Sequence, residues 1–235
     1  MGAYEGIDGL LAEGMSLVCR PSFGGGATGI LFIDRLGAET RVNTRTIDPA
    51  TLRTLVAGLN DFLVTERVKQ AQYALEIFPA TTNTLRILTL WDFERDRPFM
   101  AAACHRFGRE GFGPLDNFHA GRGGISVPIN REDGRMGPAA IREGNEIKRF
   151  SHHPDTGAII EGVRVPDWGK TTAEILELAA RIPYAPCVGW DIVKTPSGWV
   201  CLEGNPMPGY HVWQVHGPLL ADPRVRRFYE AHGVV

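Results

Sequence analysis

Apolar residues gather in short runs that glycine, proline and polar residues separate, which is typical of strands. The runs fall at residues 17–19, 29–33, 62–68, 84–91, 99–107, 125–129, 158–165, 188–195 and 199–205. Most of these runs follow one another with no helical segment between them. The pattern therefore predicts an α+β fold with a large, mostly antiparallel sheet.

Three helices are predicted from their starting residues. Asp48-Pro49 and Asp222-Pro223 each place an N-cap before a proline at the first helical position. Thr171 and Glu174 form a capping-box pattern, which predicts a helix from Thr171 to about Arg181. A change in composition near residues 68–71 predicts two domains: a small glycine-loop subdomain (1–68) and a core-sheet subdomain (69–235).

Two acids lie on strands that are predicted to form a hairpin. If residues 196–198 form a three-residue connection, Asp191 pairs with Glu203, and Asn205 lies on the same face. Opposed Cβ atoms are roughly 4.5–5.5 Å apart, so the two carboxylates repel unless a cation lies between them or one is protonated. Two carboxylates and an amide oxygen suit Mg²⁺. The alternative is a surface hairpin whose acids point to solvent.

A glycine-rich loop joins the first two predicted strands. Gly24, Gly25 and Gly26 follow Arg20, and three consecutive glycines let backbone N–H groups approach an anion closely. The guanidinium of Arg20 could reach a phosphate. The loop joins two strands, so it fits neither the Walker nor the Rossmann pattern. The alternative is a flexible connection that binds no ligand.

Composition narrows the function without identifying it. Apolar residues make up 43% and charged residues 22% of the chain, and the formal net charge is -2, which favours neither nucleic acid nor anionic lipid as a partner. No apolar run approaches the roughly 20 residues that span a bilayer, and the N-terminus does not resemble a secretion signal. Four scattered cysteines predict free thiols in a reducing cytoplasm.

These motifs together resemble the ATP-grasp superfamily, and most closely its sugar-transfer associated branch, over about residues 16 to 229. The similar stretches are residues 20–26, 63–68, 82–87, 153–157, 165–168, 188–192 and 202–205. The resemblance implies two α+β subdomains with a nucleotide cleft between them. It also implies ATP and Mg²⁺ as ligands. Arg20 stands where the family usually has lysine, and arginine keeps the charge but changes the geometry at a phosphate.

The resemblance implies that Asp191, Glu203 and Asn205 are metal ligands and that Arg86 is a catalytic cation. Apart from the resemblance, the glycines that flank Arg122 could position it toward the phosphates as a second catalytic cation, and the alternative is a plain turn. The nucleotide-binding residues would be Arg20, Gly24, Gly25, Gly26, Glu66 and Asn83.

The resemblance implies a ligase that activates a carboxylate as an acyl phosphate, which an amine or another nucleophile then attacks. Its substrates would be a small-molecule carboxylate and an amine or sugar-like acceptor. Two alternatives remain open: a kinase for a sugar-like hydroxyl, and a nucleotide-binding subunit without turnover. The resemblance also implies that this chain lacks the N-terminal domain of full-length relatives. We therefore expect either a truncated or inactive member, or a site that a second copy or a partner chain completes.

Overall fold

The computed structural model describes residues 3–23, 28–118 and 123–235. The chain divides into two compact units, Met1–Val68 and Lys69–Val235. Among the described residues, no helix combines the length and the apolar character needed to cross a lipid bilayer.

The first unit is a five-stranded antiparallel sheet with two helices. Its elements are α1 (Ala3–Ala12), β1 (Leu17–Pro21), β2 (Leu31–Leu36), β3 (Glu39–Val42), β4 (Arg45–Ile47), α2 (Pro49–Ala57) and β5 (Phe62–Glu66). The strand order is β4-β3-β2-β1-β5, so β5 is an edge strand. Apolar residues of both helices pack on β1 and β2 to form one core. Asp48 caps α2 as predicted, because its carboxylate accepts from the backbone N–H groups of Ala50 and Thr51.

The second unit is built on a seven-stranded antiparallel sheet. Its elements are α3 (Gln72–Ile77), β6 (Leu85–Asp92), β7 (Arg97–Phe107), β8 (Ile125–Pro128), β9 (Ala139–Glu143), β10 (Glu146–Phe150), α4 (Trp168–Ala180), β11 (Cys187–Thr195), β12 (Gly198–Asn205), α5 (His211–Gln214), a 3-10 turn (Leu219–Ala221) and α6 (Pro223–Ala231). The strand order is β10-β9-β8-β7-β6-β11-β12. The predicted α+β class with a large antiparallel sheet is confirmed.

The large sheet has a separate hydrophobic core on each face. One core joins the sheet to α3 and α4, and the other joins it to α5 and α6. Along β11, Trp190 and Ile192 belong to the α4 side, whereas Cys187 belongs to the α5 side. Because side chains of a strand alternate between faces, Gly189 and Asp191 must also lie on the α5 side.

Two predictions about this unit are wrong. Helix α4 begins at Trp168, so Thr171 lies inside the helix instead of capping it, and Asp167 occupies the N-cap position. Residues 158–165 do not form a strand, because their pairing with other segments is limited to isolated bridges at Ile159 and Arg164 and forms no continuous ladder. The β9–β10 hairpin was not predicted, because β10 is mostly exposed and charged and β9 contains an apolar run of only three residues.

Candidate functional site

The β11–β12 hairpin places Asp191 directly opposite Glu203, as predicted, but through a different geometry. The connection has two residues, not three, because Thr195 pairs with Gly198. The residue pairs between the turn and Ile192 therefore differ by one residue from the predicted register. Val193, for example, faces Val200 instead of Cys201. A β-bulge between Asp191 and Ile192 absorbs one extra residue of β12 and restores the expected alignment.

Three charged residues form one row across three neighbouring strands. Asp191 pairs with Glu203 of β12 on one side and with Arg86 of β6 on the other. Residues that face each other across antiparallel strands point to the same side of the sheet. The structure thus brings together Arg86 and the predicted metal ligands Asp191 and Glu203.

Two arginines bracket the buried carboxylate of Asp191. Nη1 of Arg86 donates a hydrogen bond to Oδ2 of Asp191. On the other oxygen, Nη2 of Arg106 lies 3.3 Å from Oδ1. All three side chains are largely withdrawn from water, with exposed side-chain fractions of 10% for Arg86, 6% for Asp191 and 13% for Arg106. In such a setting charges interact more strongly than at the surface.

Arg106 is itself held by groups that the sequence analysis did not single out. Its Nε and Nη2 donate to the hydroxyl of Thr84 at 2.9 and 2.6 Å. Asp116 accepts from the backbone N–H and the hydroxyl of Thr84 at 2.7 and 2.6 Å. Nη2 of Arg106 also lies 3.5 Å from Oδ1 of Asp116.

Burial and charge act in opposite directions on this group. Burial opposes the charge of Arg106, but the carboxylates of Asp116 and Asp191 outweigh burial and raise the pKa of Arg106. Burial raises the pKa of Asp116, although Arg106 and Thr84 partly offset that effect. The sequence signal for Arg106 was a cation inside the apolar run of β7, which is rare in a buried strand unless the charge has partners.

Helix α5 covers the row from the same side of the sheet. The indole Nε1 of Trp213 donates to the carbonyl of Arg86 at 3.0 Å, and the ring centroid lies 5.8 Å from the guanidinium carbon of that residue. Gly189 allows the segment before α5 to approach β11 closely, since a Cβ there would lie 2.5 Å from Cβ of Pro208 and 3.4 Å from Cη2 of Trp213. Trp213 therefore excludes water from one side of the charged row.

The donor set fits a hard divalent cation such as Mg²⁺. Within the described structure, the buried Oδ1 of Asp191 makes an ion-pair contact with Arg106 but no hydrogen bond, so it keeps lone pairs for a cation. Glu203 is exposed and accepts from Nδ2 of Asn205 at 2.9 Å, so Glu203 and Asn205 lie side by side at the open end of the row. Within the described part of the chain, no three His, Cys, Asp or Glu side chains are close enough to hold a metal. A metal here would need the amide oxygen of Asn205 as well as the two carboxylates.

Asn83 has an internal role in this structure. It is buried, and its Nδ2 donates to Gln70 Oε1 at 3.1 Å and to the carbonyl of Phe78 at 2.6 Å. Its Oδ1 accepts from the hydroxyl of Thr81 at 2.6 Å and from the backbone N–H of Gly108 at 3.2 Å. Its side chain is therefore committed to holding the start of β6. Nucleotide contact by Asn83 stays a prediction.

The other predicted residues lie elsewhere. Arg20 and Glu66 are on the paired strands β1 and β5 of the first unit, where they face Leu63 and Leu17 respectively. They are three positions apart along the ladder and so point to opposite faces of the small sheet. Gly24, Gly25, Gly26 and Arg122 lie outside the described residues.

Comparison with known proteins identifies the family. The family model described as sugar-transfer associated ATP-grasp matches residues 4–228. No curated protein matches the chain. The fold of this family generally binds ATP and Mg²⁺, and its members are typically ATP-dependent enzymes. The match spans nearly the whole sequence and confirms the predicted ATP-grasp fold, so the chain belongs to the sugar-transfer associated ATP-grasp family.

Proposed function

We propose that this chain is an ATP- and Mg²⁺-dependent ligase that activates a small-molecule carboxylate as an acyl phosphate for attack by an amine. The observation that carries the proposal is the row of buried Arg86, buried Asp191 and exposed Glu203, with Arg106 next to Asp191. Such a row combines acidic groups for a cation with fixed positive charges for anionic substrates. Both kinds of group are needed where phosphate is transferred to a carboxylate.

Each residue of the row has a distinct task in the proposal. Glu203, Asn205 and Oδ1 of Asp191, which makes no hydrogen bond in the described structure, would hold Mg²⁺, which when bound neutralises phosphate charge. Arg86 remains beside Asp191 and presents a fixed cation to the transferred phosphoryl group or to the carboxylate substrate. Trp213 keeps water away from the inner side of the row.

The charges around Asp191 favour a carboxylate over a hydroxyl as the acceptor. A hydroxyl must lose a proton when it is phosphorylated, so a kinase profits from a base near the acceptor. In the described contacts, two arginines engage Asp191, and Asn205 engages Glu203. A carboxylate is already ionised at neutral pH, needs no base and is attracted by two guanidinium groups.

Product analysis tests the proposed reaction. The chain is incubated with ATP, Mg²⁺ and pools of small carboxylic acids, with hydroxylamine present to trap an acyl phosphate as a hydroxamate. A ligase yields ADP, inorganic phosphate and a hydroxamate, and Asp191→Asn abolishes all three products. The same assay is then run with pools of sugars in place of acids. Formation of ADP together with a phosphorylated sugar, which hydroxylamine does not attack, would establish a kinase instead. No ADP above the Asp191→Asn background with either pool would contradict the enzymatic proposal.

A further inference from the structure

A polar cavity lies within the larger unit, away from the charged row. Its volume is about 290 Å³, and it lies between the start of α4 and the tip of the β11–β12 hairpin. Asp167, Thr171 and Glu174 line it from the helix, and Lys194 and Trp199 line it from the hairpin. Lys194 comes three residues after Asp191 on β11, so the two side chains point to opposite faces of the sheet. The cavity is therefore separate from the proposed metal site.

The ammonium group of Lys194 is buried with few protein partners. Its side chain is 3% exposed, and Nζ lies 3.3 Å from Oγ1 of Thr171 and 3.5 Å from Oδ2 of Asp167. An ammonium carries three N–H donors. Within the described structure, these two contacts leave one donor without a protein acceptor. A buried charge that is only partly paired is costly and suggests that an acceptor from outside completes the set.

The carboxylate that faces Lys194 is weakly held. Asp167 is at the N-cap of α4, yet its side chain caps no backbone N–H, and its backbone has a φ of 51°, in the left-handed region. Its side chain is 71% exposed. An exposed carboxylate 3.5 Å from a buried ammonium is a partner that a ligand carboxylate could replace at little cost.

The other side of the cavity offers an acceptor. Oε2 of Glu174 accepts from the indole Nε1 of Trp199 at 2.7 Å, and Oε1 lies 3.9 Å from Nζ of Lys170. The lining thus carries two positive groups, Lys170 and Lys194, and two negative groups, Asp167 and Glu174. A phosphate dianion would meet two carboxylates, whereas a ligand with one charge of each sign could match both sides.

We propose that this cavity binds a small zwitterion of the free α-amino acid class. Its carboxylate accepts from Lys194, from the hydroxyl of Thr171 and from that of Ser197 at the hairpin tip. Its ammonium group donates to Glu174. The site does not depend on the proposed ligase reaction, since it uses the opposite face of the sheet.

The indole N–H of Trp199 donates to Glu174 in the cavity, so its NMR resonance reports ligand binding there. The ¹⁵N-labelled full chain is titrated with glycine, L-alanine, acetate, methylammonium and inorganic phosphate, and the Trp199 indole resonance, assigned through Trp199→Phe, is followed. We expect a saturable shift with glycine or L-alanine and at least about tenfold weaker effects with acetate or methylammonium, because each carries only one of the two charged groups. Lys194→Met and Thr171→Val should each weaken the binding. Lys148→Met, which removes a half-exposed lysine on β10, is the matched control and should leave it unchanged.

Three results would overturn the proposal. One is no saturable shift of the Trp199 resonance with either amino acid at tens of millimolar. Another is equal binding by wild type and Thr171→Val, which keeps the test valid if Lys194→Met fails to fold. The third is tighter binding of phosphate than of both amino acids, which would make the cavity an anion site. Nucleotide binding is measured in the same samples and should not change in the Lys194 and Thr171 variants.

Discussion

Asp191 is a buried carboxylate whose surroundings make it dependent on its neighbours. Arg86 and Arg106 supply two positive charges within 3.3 Å of its oxygens. Removing one member of a buried ion pair leaves an uncompensated charge, which typically costs about 3–5 kcal/mol. The row should therefore behave as a coupled unit in which the effect of one substitution depends on the others.

A double-mutant cycle measures this coupling. Arg86→Met is expected to lower the free energy of unfolding by about 3 kcal/mol because it leaves Asp191 underpaired. Arg86→Met combined with Asp191→Asn should be less destabilised than the sum of the two single variants by at least about 1 kcal/mol, as measured by urea denaturation. The half-exposed pair Lys148–Glu143 is the control, and its coupling should be much smaller because solvent screens both charges. A coupling no larger than that of the control pair would contradict the account.

His105, next to Arg106 on β7, predicts how stability depends on pH. Burial is the main reason that the pKa of His105 falls to about 3, and the ring accepts from the hydroxyl of Tyr73 at 2.9 Å. The folded-state pKa lies below the unfolded value of about 6.5, so stability is full above that value and is lost as the pH falls. The loss approaches about 1.4 kcal/mol per pH unit between pH 6 and 4.

Urea denaturation across this pH range checks the assignment. His105→Gln should flatten the decline in unfolding free energy, whereas His152→Gln, at an exposed position, should leave the slope unchanged. Equal slopes for the wild type and His105→Gln would show that another group causes the decline.

At the scale of elements, the sequence predicted strands and caps better than it predicted register. Apolar runs located β6 and β7, and Asp48 and Asp222 marked the starts of α2 and α6. The length of the β11–β12 connection could not be predicted, because a two-residue turn followed by a bulge aligns Asp191 with Glu203 just as a three-residue turn would. Local sequence does not distinguish these solutions, since their difference depends on packing of the whole sheet.

The wrong start of α4 and the unpredicted contact of Arg106 with Asp116 also have physical reasons. Thr171 fits a capping box by sequence, but packing of Trp168 against the core extends α4 by three residues toward its N-terminus. Arg106 and Asp116 meet because the loop after β7 folds back to the start of β6, where Thr84 binds Asp116, and local sequence does not show this tertiary contact.

Helix α6 supplies a prediction at this scale. Asp222 accepts from the backbone N–H of Arg224 at 2.9 Å and pairs with Nη1 of Arg131, also at 2.9 Å. Asp222→Ala removes both interactions and should lower the unfolding free energy by about 1–2 kcal/mol. Asp222→Asn keeps a capping oxygen and should lower the unfolding free energy by a smaller amount. Calorimetric melting of the two variants checks the order, and a larger loss for Asn than for Ala would refute the capping role.

At the scale of the whole molecule, the two units have separate cores. The core of the first unit contains only residues up to Phe62, and both cores of the second contain only residues from Tyr73 onward. The charged row lies wholly in the second unit, whereas Arg20 and Glu66 lie in the first. The proposed metal ligands thus all belong to the second unit.

A fragment of residues 69–235 tests this division. We expect it to fold alone and to give a dispersed amide spectrum, because its two cores are complete. Its affinity for ATP should fall at least about tenfold, since the charged contacts predicted for Arg20 and the hinge position of Glu66 are lost. An unfolded fragment would contradict the independence of the cores, and full-length affinity would remove the first unit from the nucleotide site.

The central claim is that Asp191 and Glu203 hold Mg²⁺ for a bound nucleotide. Isothermal calorimetry with a non-hydrolysable ATP analogue, with and without Mg²⁺, measures this most directly on the full chain. The account predicts that Mg²⁺ strengthens binding at least about tenfold in the wild type and that Asp191→Asn and Glu203→Gln each reduce that gain. Glu143→Gln, at an exposed acid on β9, should retain it. Binding that is the same with and without Mg²⁺, or a full Mg²⁺ effect in both site variants, would contradict the account.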